Sequence, residues 1–152
     1  MSRGEILNQY YSSLIREEEE IKNIASPEVR IALLNEEEID QINLTIDRVQ
    51  PYVDVFVVNT FPKTSVAYDN VYAFSSKDFW ELPRNYIAFD IIQDNSLNQF
   101  FNPTAIVHNW HRLKDHGYFI SVNVEEKKYL EDSLDIDIHA YYEDQQILIY
   151  KK

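Results

Sequence analysis

The spacing of apolar residues in the first third of the chain predicts helices. A first set of apolar residues recurs three and four positions apart, as one face of a helix requires. These residues are Leu7, Tyr10, Tyr11, Leu14, Ile15, Ile21 and Ile24. Ser2 followed by Glu5 has the spacing of a capping box, so we expect this helix to begin there.

A second helix is predicted from Asn35 to the proline at position 51, which would end it. Its apolar stripe consists of Ile39, Ile42, Ile46 and Val49. Between the two helices, Val29, Ile31 and Leu34 fit a short helix and a short strand equally well.

Beyond Pro51 the pattern changes to that of strands. Residues 53–60 are apolar on both faces, as in a central strand. Further strands are predicted at 85–93, 118–124, 136–140 and 147–150. A hairpin is predicted within 65–74, turning at Asp69-Asn70. A helix is predicted from Asn102 to Asp115, with Gly117 ending it.

The order of these elements predicts an α+β fold in one domain spanning 1–152. In this interpretation the N-terminal helices pack on a mostly antiparallel sheet formed by the C-terminal two-thirds of the chain. The connection Glu143-Asp144-Gln145 is short enough for an antiparallel hairpin between the last two strands.

The chain has only two glycines, Gly4 and Gly117. Loops that hold phosphates, dinucleotides or an exposed nucleophile need clustered glycines, because the backbone there turns at positive φ or approaches a ligand closely. The composition therefore argues against P-loop, Rossmann-type dinucleotide-binding and α/β-hydrolase sites. Without cysteine, disulfides and cysteine-ligated metals are excluded.

The formal net charge of −12 is concentrated in two parts of the chain. Positions 16–48 contain ten acidic and four basic residues, and positions 115–144 contain nine acidic and two basic residues. This charge predicts no direct binding to nucleic acid or to an anionic membrane, whereas a basic protein would be attracted. The charge also fits a face that only keeps the protein soluble. The beginning of the chain lacks an apolar segment, so we expect no signal peptide and a cytoplasmic protein.

One group of residues could hold a metal. On a helix, His108, His111 and Asp115 would share one side, at the spacing of three and four residues that brings side chains together. Imidazole and carboxylate groups suit zinc or a related metal. The glutamate of a metalloprotease helix is absent, however, and Arg112 and Lys114 add positive charge. We therefore expect a polar helix face and no cofactor, with a small metal-assisted hydrolase as the alternative.

The acidic C-terminal segment, rich in tyrosine, gives the leading functional hypothesis. Tyrosine beside acidic residues could recognise a basic surface by packing and by charge. The residues predicted to bind the partner are Asp132, Asp135, Asp137, Tyr141, Glu143 and Asp144. The sequence thus suggests a non-enzymatic inhibitor, an immunity or antitoxin-like protein that docks a basic toxin or nucleic-acid enzyme. A structural or regulatory subunit of a bacterial or phage assembly, or a homo-oligomer, is a further alternative.

Overall fold

A computed structural model of the chain describes seven stretches of residues. These are 2–20, 30–34, 53–59, 71–83, 89–94, 109–121 and 138–152, with side chains in the first stretch described for 2–12. The predicted helix with the stripe Ile39, Ile42, Ile46 and Val49 and the predicted turn at Asp69-Asn70 lie outside them.

Seven strands and two named helices form the described structure. The strands are β1 (Arg30–Leu34), β2 (Asp54–Asn59), β3 (Val71–Ser75), β4 (Phe89–Asp94), β5 (Leu113–Ser121), β6 (Ile138–Tyr142) and β7 (Ile147–Lys151). The helices are α1 (Arg3–Glu20) and α2 (Ser76–Trp80), and residues 109–112 are also helical.

All seven strands belong to one sheet, in the order β3-β2-β1-β4-β5-β7-β6. The first five strands in this order are parallel to one another: β2 pairs with β1 and β3, and β4 pairs with β1 and β5. β7 is antiparallel to both of its neighbours, β5 and β6. The N-terminal strand β1 therefore lies inside the sheet, between β2 and β4.

The predicted fold class is wrong. The sheet is mostly parallel, not antiparallel, and β1 from the first third of the chain lies inside it. In the described part of the chain the sheet dominates, and only short helical segments accompany α1. Of the predicted hairpin within 65–74, only β3 is described, and it pairs in parallel with β2; residues 65–70 lie outside the described stretches.

Two features of the chain account for the parallel sheet. More than ten residues separate each of the first five strands from the next, and a parallel connection needs about a dozen or more. Val55, Phe56, Val57 and Val58 of β2 are all buried, so this strand is covered on both faces, as parallel strands usually are.

The helix α1 covers one face of the sheet. The predicted capping box is confirmed: the Ser2 hydroxyl accepts a hydrogen bond from the Glu5 amide (3.2 Å) and donates one to the Glu5 carboxylate (3.1 Å). Ile6, Leu7 and Tyr11 of α1 are buried in the same apolar cluster as central residues of β1, β2 and β4. Packing against the sheet therefore adds to the stability of a helix that its sequence already favours.

The opposite face holds a second apolar cluster, rich in phenylalanine. The Phe56 ring stacks on Phe74 and meets Phe89 edge-on, with centroids 5.2 and 5.1 Å apart. Arg112, almost fully buried, donates to the carbonyl oxygens of Trp80 and Leu82 at 3.2 and 2.9 Å. These hydrogen bonds attach the end of α2 to the start of β5.

β5 begins with a bulge. Leu113 pairs with Phe89 and Tyr118 pairs with Ile91, so four residues of β5 stand opposite the single residue Asp90 of β4. Gly117, predicted to end a helix, lies in this bulge and is buried. Its φ is not positive, so the backbone conformation does not require a glycine here. The close approach of backbone atoms does, because it leaves no room for a Cβ atom.

The last two strands agree with their prediction. β6 and β7 form an antiparallel hairpin whose connection, Glu143–Gln145, is a 3-10 turn. Gln146 leaves the turn in the left-handed region, at φ 52°. Within the described stretches, no helix combines the length and apolar content needed to cross a bilayer.

Candidate functional site

The strand order reverses direction between β1 and β4, which makes this place the topological switch point of the sheet, where open α/β sheets have a crevice. From β1 the chain goes to β2 on one side, while β4 lies on the other side of β1. Connections that leave neighbouring parallel strands in opposite directions separate at the carboxyl ends of those strands, and ligands of open α/β sheets bind there. The carboxyl ends of β1 and β4 are therefore the candidate site.

Polar residues are concentrated at the carboxyl ends of the strands. Four polar or charged residues are classed as buried among those described: Gln93, Asp94, Arg112 and Ser121. Gln93 and Asp94 end β4, and Ser121 ends β5. Burying a polar group costs free energy unless it is partnered, so buried polar residues at these strand ends are held by specific interactions.

The register brings these ends level with one another. Leu34, the last residue of β1, pairs with Asp94, and Asp94 pairs with Ser121 on the other side. Asn59 ends β2, next to β1, and is half-buried. Asp94 therefore lies directly at the switch point, and only 6% of this residue is exposed.

Gln93 is held from the helix that covers the sheet. The hydroxyl group of Tyr11, in α1, donates a hydrogen bond to Oε1 of Gln93. Both side chains are buried. A residue of α1 thus reaches the penultimate position of β4, beside the switch point.

The segment after β1 differs from a glycine-rich ligand loop. The sequence continues from Leu34 as Asn35-Glu36-Glu37-Glu38, and no glycine occurs between positions 4 and 117. Asparagine is among the residue types that most readily replace glycine at positive φ. The three glutamates would repel a diphosphate group and would attract a cation.

The amino ends of the same strands carry a different polar group. The Asp90 carboxylate accepts a hydrogen bond from the Arg30 amide (3.0 Å) and forms an ion pair with Lys114 Nζ (3.1 Å). These contacts join β1, β4 and the bulge of β5 at the edge away from the crevice. We assign them to holding the sheet together.

The predicted metal group does not form on one helix. His108 lies outside the described stretches, and His111 is exposed in the helical residues 109–112. Asp115 belongs to β5, because the helix ends before Leu113 and the strand starts there. Within the described residues no group of three or more histidine and carboxylate side chains could hold a metal ion.

The acidic partner surface is only partly described. Tyr141 is 42% exposed on the edge strand β6, and Glu143 and Asp144 are exposed in the following turn. Asp132, Asp135 and Asp137 lie outside the described stretches. Binding of a basic partner to this surface stays a prediction.

Comparison with known proteins gives matches in structure only. No family model matches the chain, and no curated protein sequence matches it. The methyltransferase MycE of the mycinamycin biosynthetic pathway, solved in complex with Mg and SAH, superposes with a TM-score of 0.61 at 13% identity. The match covers 99% of this chain and 49% of MycE, so the chain spans about half of that protein's length. The chain therefore shares its fold with a part of this methyltransferase.

Two more structures give the same result. MycE in complex with Mg, SAH and mycinamycin VI matches with a TM-score of 0.61 at 10% identity, over 100% of this chain and 48% of that one. A ribosomal RNA methyltransferase from Plasmodium falciparum matches with a TM-score of 0.51 at 12% identity, over 93% of this chain and 94% of that one.

These comparisons overturn the functional hypothesis drawn from the sequence. The similar structures are methyltransferases, and none supports an inhibitor, an immunity protein or an antitoxin. The prediction of a non-enzymatic protein and the metal-assisted hydrolase alternative are therefore wrong. Both rested on charge and residue spacing, which do not report how strands are ordered in a sheet.

The residues of the crevice were missed by the sequence analysis. Gln93, Asp94 and Ser121 each follow a buried apolar run at the point where a strand ends. That pattern is visible in the sequence, but it indicates a shared site only when the strands are parallel, since only then do these ends meet at one edge.

Proposed function

We propose that this chain is a methyltransferase domain that binds S-adenosylmethionine at the carboxyl ends of β1 and β4. The observation that carries the proposal is the agreement in fold with methyltransferases over 99% of the chain. The crevice at the switch point, with the buried Asp94 beside the end of β1, supplies the matching site.

The residues of the crevice fit this ligand. S-adenosylmethionine supplies, when bound, a methyl group on a positively charged sulfonium centre. Asp94 would attract the positive charge, because a carboxylate shielded from water interacts with a cation more strongly than an exposed one. Asn59 and Gln93 would offer amide groups to the polar atoms of the nucleoside.

The scarcity of glycine is compatible with such a ligand. Glycine loops let the backbone approach a diphosphate, and S-adenosylmethionine has no phosphate group. Glutamates at positions 36–38, next in sequence to β1, oppose a diphosphate but not a cationic nucleoside. We therefore expect nicotinamide dinucleotides not to bind.

The charge of the chain bears on the methyl acceptor. MycE has been solved with mycinamycin VI, and the Plasmodium falciparum protein is a ribosomal RNA methyltransferase. A net charge of −12 opposes the approach of an RNA backbone. We propose an acceptor that is not a nucleic acid.

A calorimetric titration tests the proposal. S-adenosylmethionine and SAH should bind the purified chain with a stoichiometry of one, and NAD should not. Asp94→Asn removes the charge at the crevice and should weaken binding of S-adenosylmethionine about ten- to a hundredfold, since a hydrogen bond to a charged group contributes about 1.5–3 kcal/mol.

Asp90→Asn is the matched control. It makes the same substitution in the same strand, at the end away from the crevice, where Asp90 pairs with Lys114. It should leave the affinity unchanged. Absence of binding to the wild-type chain would refute the proposed function, and equal weakening by both variants would refute the placement of the site.

A further inference from the structure

Tyr11 of α1 is in contact with the candidate site although it lies far from it in sequence. Its hydroxyl group donates to Oε1 of Gln93, 82 residues further along the chain. Tyr11 is fully buried and Gln93 is 1% exposed, so water cannot easily replace this hydrogen bond.

Gln93 occupies a position next to the crevice. It pairs with Leu33 of β1 and Ile120 of β5, and it directly precedes Asp94. Side chains alternate between the faces of a sheet, so Gln93 extends toward the face covered by α1 while Asp94 extends toward the other. The two residues thus border the switch point from both faces.

The hydrogen bond from Tyr11 determines the orientation of the Gln93 amide. The two ends of a glutamine side chain have opposite hydrogen-bonding roles, and rotation by half a turn exchanges them. With Oε1 accepting from Tyr11, the NH2 end is the end that donates. A phenolic hydroxyl on a buried aromatic ring has little freedom to move away, which makes it a rigid partner.

We propose that Tyr11 is a positioning residue of the methyl-donor site, which holds the Gln93 amide in the orientation that the bound nucleoside requires. This inference rests on the proposed function. It makes α1 part of the site as well as a cover of the sheet, and it assigns a role in ligand affinity to a residue that does not touch the ligand.

The matched variants are Tyr11→Phe and Tyr10→Phe. The two residues are neighbours in the same helix, and each substitution removes one hydroxyl group and keeps the aromatic ring. The Tyr10 hydroxyl is 3.5 Å from the hydroxyl of Tyr142 in the edge strand β6, and three strands lie between β6 and β1. Of the two variants, only Tyr11→Phe removes the hydrogen bond to Gln93.

The experiment measures the dissociation constant of SAH for the wild-type chain and both variants, with melting temperatures recorded for each. Tyr11→Phe should weaken binding about five- to tenfold, and Tyr10→Phe should leave it within twofold. In a Gln93→Leu background, Tyr11→Phe should cause no further loss of affinity, because the amide that it orients is gone.

Each outcome separates the inference from the proposed function. Binding by the wild-type chain with unchanged affinity in Tyr11→Phe would refute the role of Tyr11 and leave the methyltransferase proposal standing. Additive losses in the double variant would mean that Tyr11 acts through packing alone, which also refutes the inference. Absence of SAH binding to the wild-type chain would refute both.

Discussion

Gly117 is the position at which a single added methyl group should disturb the sheet most. An ideal Cβ built on Gly117 would lie 2.8 Å from the Asp90 carbonyl oxygen, 2.9 Å from the Lys114 carbonyl oxygen and 2.9 Å from Leu113 Cδ1. Two of these three atoms belong to the backbone. The substitution Gly117→Ala therefore requires backbone movement in β4 or in the bulge of β5.

The magnitude follows from the number of contacts that must shift. Overpacking a buried position typically costs 1–3 kcal/mol. The His116 amide donates to the Lys152 carbonyl at 2.9 Å, and the Lys152 amide donates to the Gly117 carbonyl at 3.0 Å, so movement here also disturbs the end of the β5–β7 pairing. We expect a loss of about 2–3 kcal/mol in the free energy of unfolding, toward the upper end of the usual range.

Urea denaturation followed by circular dichroism measures this loss. For a chain of this length the melting temperature should fall by about 5–10 °C, since 1 kcal/mol corresponds to roughly 2–4 °C. Gly4, the other glycine, lies in α1 and provides the control. Gly4→Ala should leave stability unchanged or raise it by up to about 1 kcal/mol, because alanine favours helix more than glycine does. A loss below about 0.5 kcal/mol in Gly117→Ala would contradict the close approach at the bulge.

Two further predictions concern stability. Arg112→Lys should destabilise the chain by at least about 2 kcal/mol in urea denaturation, because a lysine ammonium cannot reproduce the forked contacts to the carbonyls of Trp80 and Leu82; a loss below 0.5 kcal/mol would show that these contacts are dispensable. Burial, together with the neighbouring Tyr142 hydroxyl, raises the pKa of Tyr10 above its usual value near 10. Since the folded state favours the protonated phenol, this contribution to stability is present below pH 10 and is lost as pH rises further. The urea midpoint should therefore fall less between pH 8 and pH 10.5 in Tyr10→Phe than in the wild type, and equal falls would contradict the assignment.

Local features of the fold could be predicted from the sequence, whereas the pairing of distant strands could not. The capping box at Ser2 and the final hairpin at Glu143–Gln145 were predicted correctly, because both depend on neighbouring residues. The strand order was not, because pairing of β1 with β4 joins residues about sixty positions apart. β1 itself stayed undecided, since a buried strand and a buried helix of this length share one hydrophobic pattern.

The scarcity of glycine bears on the kind of ligand site and does not exclude a parallel sheet. Clustered glycines report a close approach of the backbone to a phosphate, so their scarcity argues against particular ligand sites and leaves the strand order open. The strands of this sheet need apolar residues on both faces and connections long enough for a crossover. Val55–Val58 and the spacing between the strands meet those needs without a glycine.

The carboxyl-end residues were missed for a related reason. Asp94 and Ser121 are 27 positions apart, and nothing local connects them. With the parallel order known, both end neighbouring strands at one edge of the sheet. The site is therefore a consequence of topology, which the pattern of single residues does not contain.

A crystal structure of the chain with SAH tests the central claim most directly. We expect the nucleoside to lie between the carboxyl ends of β1 and β4, with Asp94 bordering it and the Tyr11–Gln93 hydrogen bond intact. A ligand bound at the amino ends of the strands, near Asp90 and Lys114, or crystals that take up no SAH at millimolar concentration, would contradict it.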